Sequence, residues 1–206
     1  MSSVQLAHDP YNLIIAGVGG QGNVLASRVV GNMLSRKGLT ITIGETFGGS
    51  QRGGSVMSHL RISDRHYYSP QIPKGKAHMI LGLEPTETIR VLVNYGNPDV
   101  RAVCNMRPIH PVQVISGELG YPSLDDVRNW VRELSRESWF IDATDTALTM
   151  GAPILGNVIM VGALAGLGEL PMDEADFEQV MAMTMTPDKV ALNLKAYEKG
   201  KEMIAS

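Results

Sequence analysis

Apolar residues fall along this chain in two rhythms. Short, largely apolar runs at 13–16, 39–43, 79–83, 100–104 and 139–141 alternate with stretches whose apolar positions recur at helical spacing. The runs predict strands buried on both faces, the kind found in a parallel sheet. Between the first two runs, Val24, Leu25, Val29, Val30, Met33 and Leu34 share one helical stripe. Arg36 and Lys37 suit the negative end of that helix, and Gly38 stops it. A second helix opens at Pro85 and carries Ile89, Val91, Leu92 and Val93. The clearest helix start is Ser123 with Asp126 three residues on, followed by a stripe of Leu124, Val127, Trp130, Val131 and Leu134. Segment 55–62 instead alternates, with Val56, Ser58, Leu60 and Ile62 on one face. Asp64-Arg65 then predicts a turn into 67–68, an antiparallel hairpin. From Ala143 onward the pattern is helical, and Thr186-Pro187 is a cap and first residue for the last helix. The run 154–170 is broken by glycines and Asn157, which predicts a buried helix rather than a membrane span. Strands separated by helices predict an α/β fold, three-layer and Rossmann-like, with a mostly parallel, mixed sheet. The length fits a single domain over 1–206, with its core at about 12–200.

The first two strands each end in a glycine-rich loop. The first loop is Gly17, Gly19, Gly20, Gln21 and Gly22 around Val18; the second runs from Gly44 through Gln51, Arg52, Gly53 and Gly54 to Ser55. Two such loops after successive strands predict one shared surface, because ligands of open α/β sheets gather beyond the carboxyl ends of the strands. Gly17-x-Gly19-x-x-Gly22 matches the dinucleotide fingerprint in its strand–turn–helix setting. Helix N–H groups and a side-chain-free loop admit a phosphate there. Glu45 closes the second strand, where an acid binds a ribose hydroxyl in such sites. The alternative is that the glycines only permit close strand–helix packing. Arg52 is the cation of these loops, flanked by glycine pairs. It is either a phosphate or carboxylate fork or a solvated charge.

Net charge is −3 with no basic run, so nothing favours nucleic acid or an anionic membrane. Cys104 is the one cysteine. It excludes an intrachain disulfide and a self-contained iron–sulfur cluster, and it fits a reducing compartment, the cytoplasm. The N-terminus lacks the basic-then-apolar pattern of a signal peptide. His59 sits on the alternating strand just after the second loop, either at the edge of the site or as a structural histidine. His78 and His110 are isolated, and no spacing of His, Asp or Glu suggests a metal. Asp142 follows a strand end as either an acid or a helix cap. No nucleophile motif is present, and catalytic residues are not assigned.

The two loops in this order resemble the gamma subunit or domain of the 2-oxoacid:ferredoxin oxidoreductases, which opens on GxGGQG and continues to a loop containing R-G-G. Within that family the chain is most similar to the indolepyruvate group's beta subunits. The shared segments are Q-R-G-G-S-V at 51–56, S-H-x-R-I at 58–62, S-P-x-I-P-x-G at 69–75 and E-P-x-E-x-x-R at 84–90. Asn105 with Pro108 and Pro111, and Gly156-Asn157-Val158, extend the likeness. Ala77-His78 departs from the family's usual Ala-Asp, and Phe47-Gly48-Gly49-Ser50 also differs, so another aryl 2-oxoacid stays open as substrate. The resemblance implies a subunit of a complex that converts an aryl pyruvate and coenzyme A to an aryl-acetyl-CoA while reducing ferredoxin. It implies a large alpha subunit holding thiamine diphosphate, magnesium and iron–sulfur clusters. This chain then shapes or caps the active site and contacts coenzyme A or the substrate carboxylate. Two other readings stay open from the residues: a stand-alone NAD(P)-dependent oxidoreductase and a non-catalytic stabilising module.

Overall fold

The computed structural model describes residues 6–48 and 54–205. The chain begins with strand β1 (Tyr11–Val18), helix α1 (Asn23–Arg36), β2 (Thr40–Phe47) and β3 (Ser55–Ser63). It continues through β4 (Met79–Gly82), α2 (Pro85–Tyr95), β5 (Arg101–Asn105), the short α3 (Val112–Ile115), α4 (Leu124–Leu134) and β6 (Glu137–Ile141). Four helices finish it: α5 (Ala143–Thr149), α6 (Leu155–Gly166), α7 (Glu174–Ala182) and α8 (Pro187–Ala205). The six strands make one sheet in the order β2-β3-β1-β4-β5-β6. β1, β4, β5 and β6 pair in parallel, while β3 lies antiparallel between β1 and β2.

The alternation of 55–62 is thus a strand, but the predicted hairpin partner at 67–68 is not. Both edges of β3 are already taken, by Leu13 opposite Leu60 on one side and Ile43 opposite Leu60 on the other. The chain after β3 turns off instead, with the Ser63 hydroxyl accepting from the Arg65 and His66 N–H groups. Tyr68 then lies under the Arg61 guanidinium, 4.7 Å from its ring centre.

All eight residues of β1 are buried because both faces of the sheet are covered. Leu13 and Ile15 pack into one cluster with α1 and α6–α8, while Ile14 and Ala16 pack into another with α2 and α4. This gives three layers. The helix starts follow their predicted chemistry. Ser123 accepts from the Asp126 N–H at 3.1 Å; Asp173, which the sequence reading did not single out, caps α7 the same way, accepting from the Asp176 N–H at 2.8 Å. Ala143 onward is helical as expected, and α6 is buried from Leu155 to Ala165. Among the described residues no helix is long and apolar enough to cross a membrane. His78 accepts the Asn12 N–H through Nδ1 at 2.9 Å. Burial, with His8 and Lys76 nearby, pushes it down to about 4, which keeps the ring a neutral acceptor.

Candidate functional site

The chain leaves β1 through α1 on one face of the sheet and leaves β4 through α2 on the other. Between two such strands a crevice opens at their carboxyl ends, because the connections depart in opposite directions. A cavity of about 560 Å³ sits there. Gly20 and Gln21 line it from the loop after β1, and Leu83 from the end of β4. Asn105, Arg107, Pro108 and Ile109 close the side beyond β5. Thr144 enters from the start of α5, and Ile154, Gly156, Asn157 and Met160 from the start of α6.

Gln21 holds the first loop to the sheet. Its Oε1 accepts from the Val18 N–H at 2.9 Å, and its Nε2 donates to the Leu83 carbonyl at 2.7 Å. That fold-back needs Gly17, since a Cβ there would stand 2.5 Å from Gln21 Oε1 and 2.8 Å from Asn23 Oδ1. Gly22 begins α1 at φ +82° and leaves room for Asn157, whose Nδ2 would lie 2.1 Å from a Cβ. Asn157 Nδ2 donates to the Gln21 carbonyl at 3.4 Å. Asn105 ties the far wall, donating to the Leu83 carbonyl and to Thr144 Oγ1, both at 2.9 Å, while its Oδ1 accepts from the Thr144 N–H. One side-chain amide from each of two strand ends and one from a helix therefore build the floor.

Of the residues singled out in the sequence, Gly20 and Gln21 line the cavity, and Gly17, Gly19 and Gly22 shape the loop behind it. Gln51, Arg52 and Gly53 lie outside the described residues. Gly54 meets the first loop directly: its carbonyl accepts from the Gly19 N–H at 2.8 Å, so the described ends of the two loops share one edge. His59 does not sit at the edge of this site. It is buried in mid-strand opposite Ile14 and Gly44, edge-on to the Tyr95 ring at 5.2 Å, and burial lowers its pKa. Asp142 is exposed at the start of α5 and makes no side-chain cap there.

Leu83, Asn105 and Thr144 were missed as site residues. Leu83 ends an apolar run, Asn105 follows one directly and Thr144 lies three residues past one, and that position at a parallel strand end is the signal that finds them. Asn157 was readable as the one polar side chain in an otherwise apolar helix. Two buried carboxylates support the site from behind. Glu84 starts α2, and Glu87 Oε2 accepts from Ser55 Oγ at 2.6 Å while Arg90 reaches Glu87 Oε1 at 3.0 Å. Burial holds Glu87 above the usual carboxylate range, opposed by the lowering effects of Ser55 and Arg90.

The described lining is amide, hydroxyl and aliphatic, and its one charged side chain, Arg107, pairs with Asp145 at 2.8 Å. Such a surface orients a ligand and excludes water; acid–base or redox chemistry must come from elsewhere. Cys104 does not supply it. It is fully buried on β5, and burial pushes its thiol up to about 12. A thiol-specific dye at pH 8 is expected to leave the folded chain unlabelled and to label one thiol per chain in denaturant. Rapid native labelling would place Cys104 at a surface. A dinucleotide reading also loses its acid. β3 separates β2 from β1, which sets Glu45 about 10 Å aside, two strand spacings.

Comparison with known proteins agrees with this geometry. The family model described as pyruvate ferredoxin/flavodoxin oxidoreductase matches residues 12–203. The indolepyruvate oxidoreductase subunit IorB of Thermococcus kodakarensis is 36% identical over 199 residues, covering 94% of this chain and 98% of that one. The pyruvate oxidoreductase subunit PORC of Thermotoga maritima has a similar fold, with a TM-score of 0.71 at 19% identity over 95% of this chain and 97% of that one. A 2-oxoglutarate:ferredoxin oxidoreductase from Magnetococcus marinus, solved with 2-oxoglutarate, coenzyme A and succinyl-CoA bound, matches with a TM-score of 0.73 at 19% identity, over 96% of this chain and 31% of that one. With the fold, the glycine loops and the family match in agreement, the chain belongs to the pyruvate ferredoxin/flavodoxin oxidoreductase family.

Proposed function

We propose that this chain is the small subunit of an aryl 2-oxoacid:ferredoxin oxidoreductase of the indolepyruvate type, and that its carboxyl-edge cavity caps the active site of a larger partner. The observation that carries the reading is the cavity's lining, which can bind and orient but, among the described residues, holds no group able to carry electrons. A single buried cysteine does not fit an iron–sulfur cluster, which takes several thiolates. Thiamine diphosphate, magnesium and the clusters belong to the large subunit in this reading, and they supply the decarboxylation and electron transfer. This chain's part is shape. Gln21, Asn105 and Asn157 present a fixed amide floor, and Ile109, Ile154 and Met160 exclude water; the sequence of the second loop adds Arg52, outside the described residues, as a cation for a phosphate or carboxylate of coenzyme A or substrate.

The test is assembly. Co-expressed with a large subunit bearing clustered cysteines, the chain is expected to co-elute with it. The complex should reduce ferredoxin or a viologen dye with indolepyruvate and coenzyme A, and the chain alone should reduce neither. Dye reduction by the isolated chain overturns the reading, as does failure to co-elute. A thermal shift with NAD(H) or NADP(H) would favour the dinucleotide alternative.

A further inference from the structure

Between β5 and α4 the chain makes an excursion with no core of its own. From Arg107 to Asp126 no residue is buried, whereas Met106 before it and Val127 after it are. Its short helix α3 buries nothing, and Val112, Ile115 and Leu119 stand open at 76%, 74% and 61% exposure. Yet this strap supplies Arg107, Pro108 and Ile109 to the cavity wall. A wall without a core must be held by specific contacts.

Among the described residues, the side-chain contacts that hold it to the body are few. Arg107 pairs with Asp145, but both side chains are about half exposed, and such pairs hold weakly. The others converge on the start of α2, where Tyr121 hydrogen-bonds Thr86 and both ends of the strap reach one carboxylate. Glu84 Oε1 accepts from the Tyr121 hydroxyl at 2.5 Å and from the Ile109 N–H at 3.4 Å, one from each end of the strap. Glu84 is itself fully buried and fixed from the other side. Its Oε2 accepts from Thr86 Oγ1 at 2.7 Å and from the Glu87 N–H at 2.9 Å, in the first turn of α2. His110 packs edge-on to Tyr121 at 4.9 Å, which links the two ends of the strap to each other.

We infer that Glu84 is a positioning residue: one buried carboxylate divides its oxygens between the α2 start and the strap, and so sets where the cavity's Arg107–Ile109 wall stands. A glutamine cannot serve both sides, since one of its two positions is a donor that faces donors.

The experiment uses the full chain. Digestion by a glutamate-specific protease at Glu118, together with hydrogen exchange of the Ile109 amide, reports strap opening. Glu84→Gln and Tyr121→Phe are each expected to raise both rates about 10- to 150-fold, the factor for one hydrogen bond to a charged group. Asp145→Ala, which removes only the half-exposed partner of Arg107, should leave them near the starting values. Tyr121 lies near the surface, so its variant decides the matter even where Glu84→Gln folds poorly. Wild-type rates in Tyr121→Phe or in Glu84→Gln overturn the assignment, and so does equal acceleration by Asp145→Ala. On the assembled complex Tyr121→Phe should raise the coenzyme A KM severalfold with kcat little changed; this last readout rests on the function proposed above. A loosened strap with an unchanged KM would leave Glu84 assigned and sink that function for the cavity.

Discussion

Gly200→Ala is expected to destabilise the chain by about 3 kcal/mol, although alanine is ordinarily the better helix former by about 1 kcal/mol. The reason is the crossing of α6 and α8. A Cβ on Gly200 would stand 1.9 Å from the Ile159 carbonyl oxygen and 2.7 Å from the Ala163 nitrogen. A Cβ on Gly162 would stand 2.0 Å from the Tyr197 carbonyl oxygen. These neighbours are backbone, so no side chain can swing aside, and the two helices must separate. Separation opens the core that both helices close: α6 is buried from Leu155 to Ala165, and Tyr197 stacks on Phe177 at 4.4 Å. In a chain of this size about 3 kcal/mol lowers Tm by roughly 6–12 °C. Gly166 offers the internal comparison, because its nearest neighbour is Lys201 Cα at 3.1 Å and a small shift accommodates a methyl. Gly166→Ala should therefore cost under about 1 kcal/mol. Calorimetry or thermal denaturation of the three single variants checks the order. Equal, small effects at Gly162 and Gly200 would mean that the crossing is looser than described. Gly162→Ala with Gly200→Ala should also cost less than the sum, since one separation relieves both contacts.

What was legible beforehand was what is local. Apolar runs marked the strands, and Ser123 with Asp126, Pro85 and Thr186-Pro187 marked helix starts, because cap and turn chemistry acts within a few residues. The first glycine loop was legible for the same reason: strand, turn and helix follow one another directly. Pairing was not. Nothing in segment 55–62 says that it inserts between β1 and β2, and that insertion moves Glu45 away from the loop it was expected to serve. His59 was misplaced for a related reason. Its alternation set it opposite Leu60, but only the folded sheet shows that Tyr95 covers that second face. The cavity walls come from five separate strand or helix ends, and Asn157 and Gln21, which touch there, are 136 residues apart. Residues that meet only through topology leave a weak local trace, such as the lone amide in α6.

Asn157 and Gly22 carry the second large effect. Gly22→Ala places an L side chain at φ +82°, which costs about 1–2 kcal/mol by itself. Its Cβ would also lie 2.1 Å from Asn157 Nδ2, so Asn157 must leave the Gln21 carbonyl and take part of the cavity floor with it. Overpacking of that kind adds about 1–3 kcal/mol. Because Gln21 and Asn157 both line the cavity, the displacement reaches the site. A misplacement of about 1 Å at a site that works by orientation costs about 100-fold in rate. Turnover of the assembled complex should fall by about that factor while far-UV circular dichroism stays native. Gly20→Ala separates the two causes. Gly20 has φ +102° but nothing within 4 Å of a Cβ, so its variant pays for backbone strain alone. Gly22→Ala should be the more damaging of the pair, and adding Asn157→Ala should recover about 1–2 kcal/mol relative to additivity. Equal losses at Gly20 and Gly22, with no coupling to Asn157, would remove the helix α6 amide from the architecture of the site and leave the glycines there for backbone conformation only.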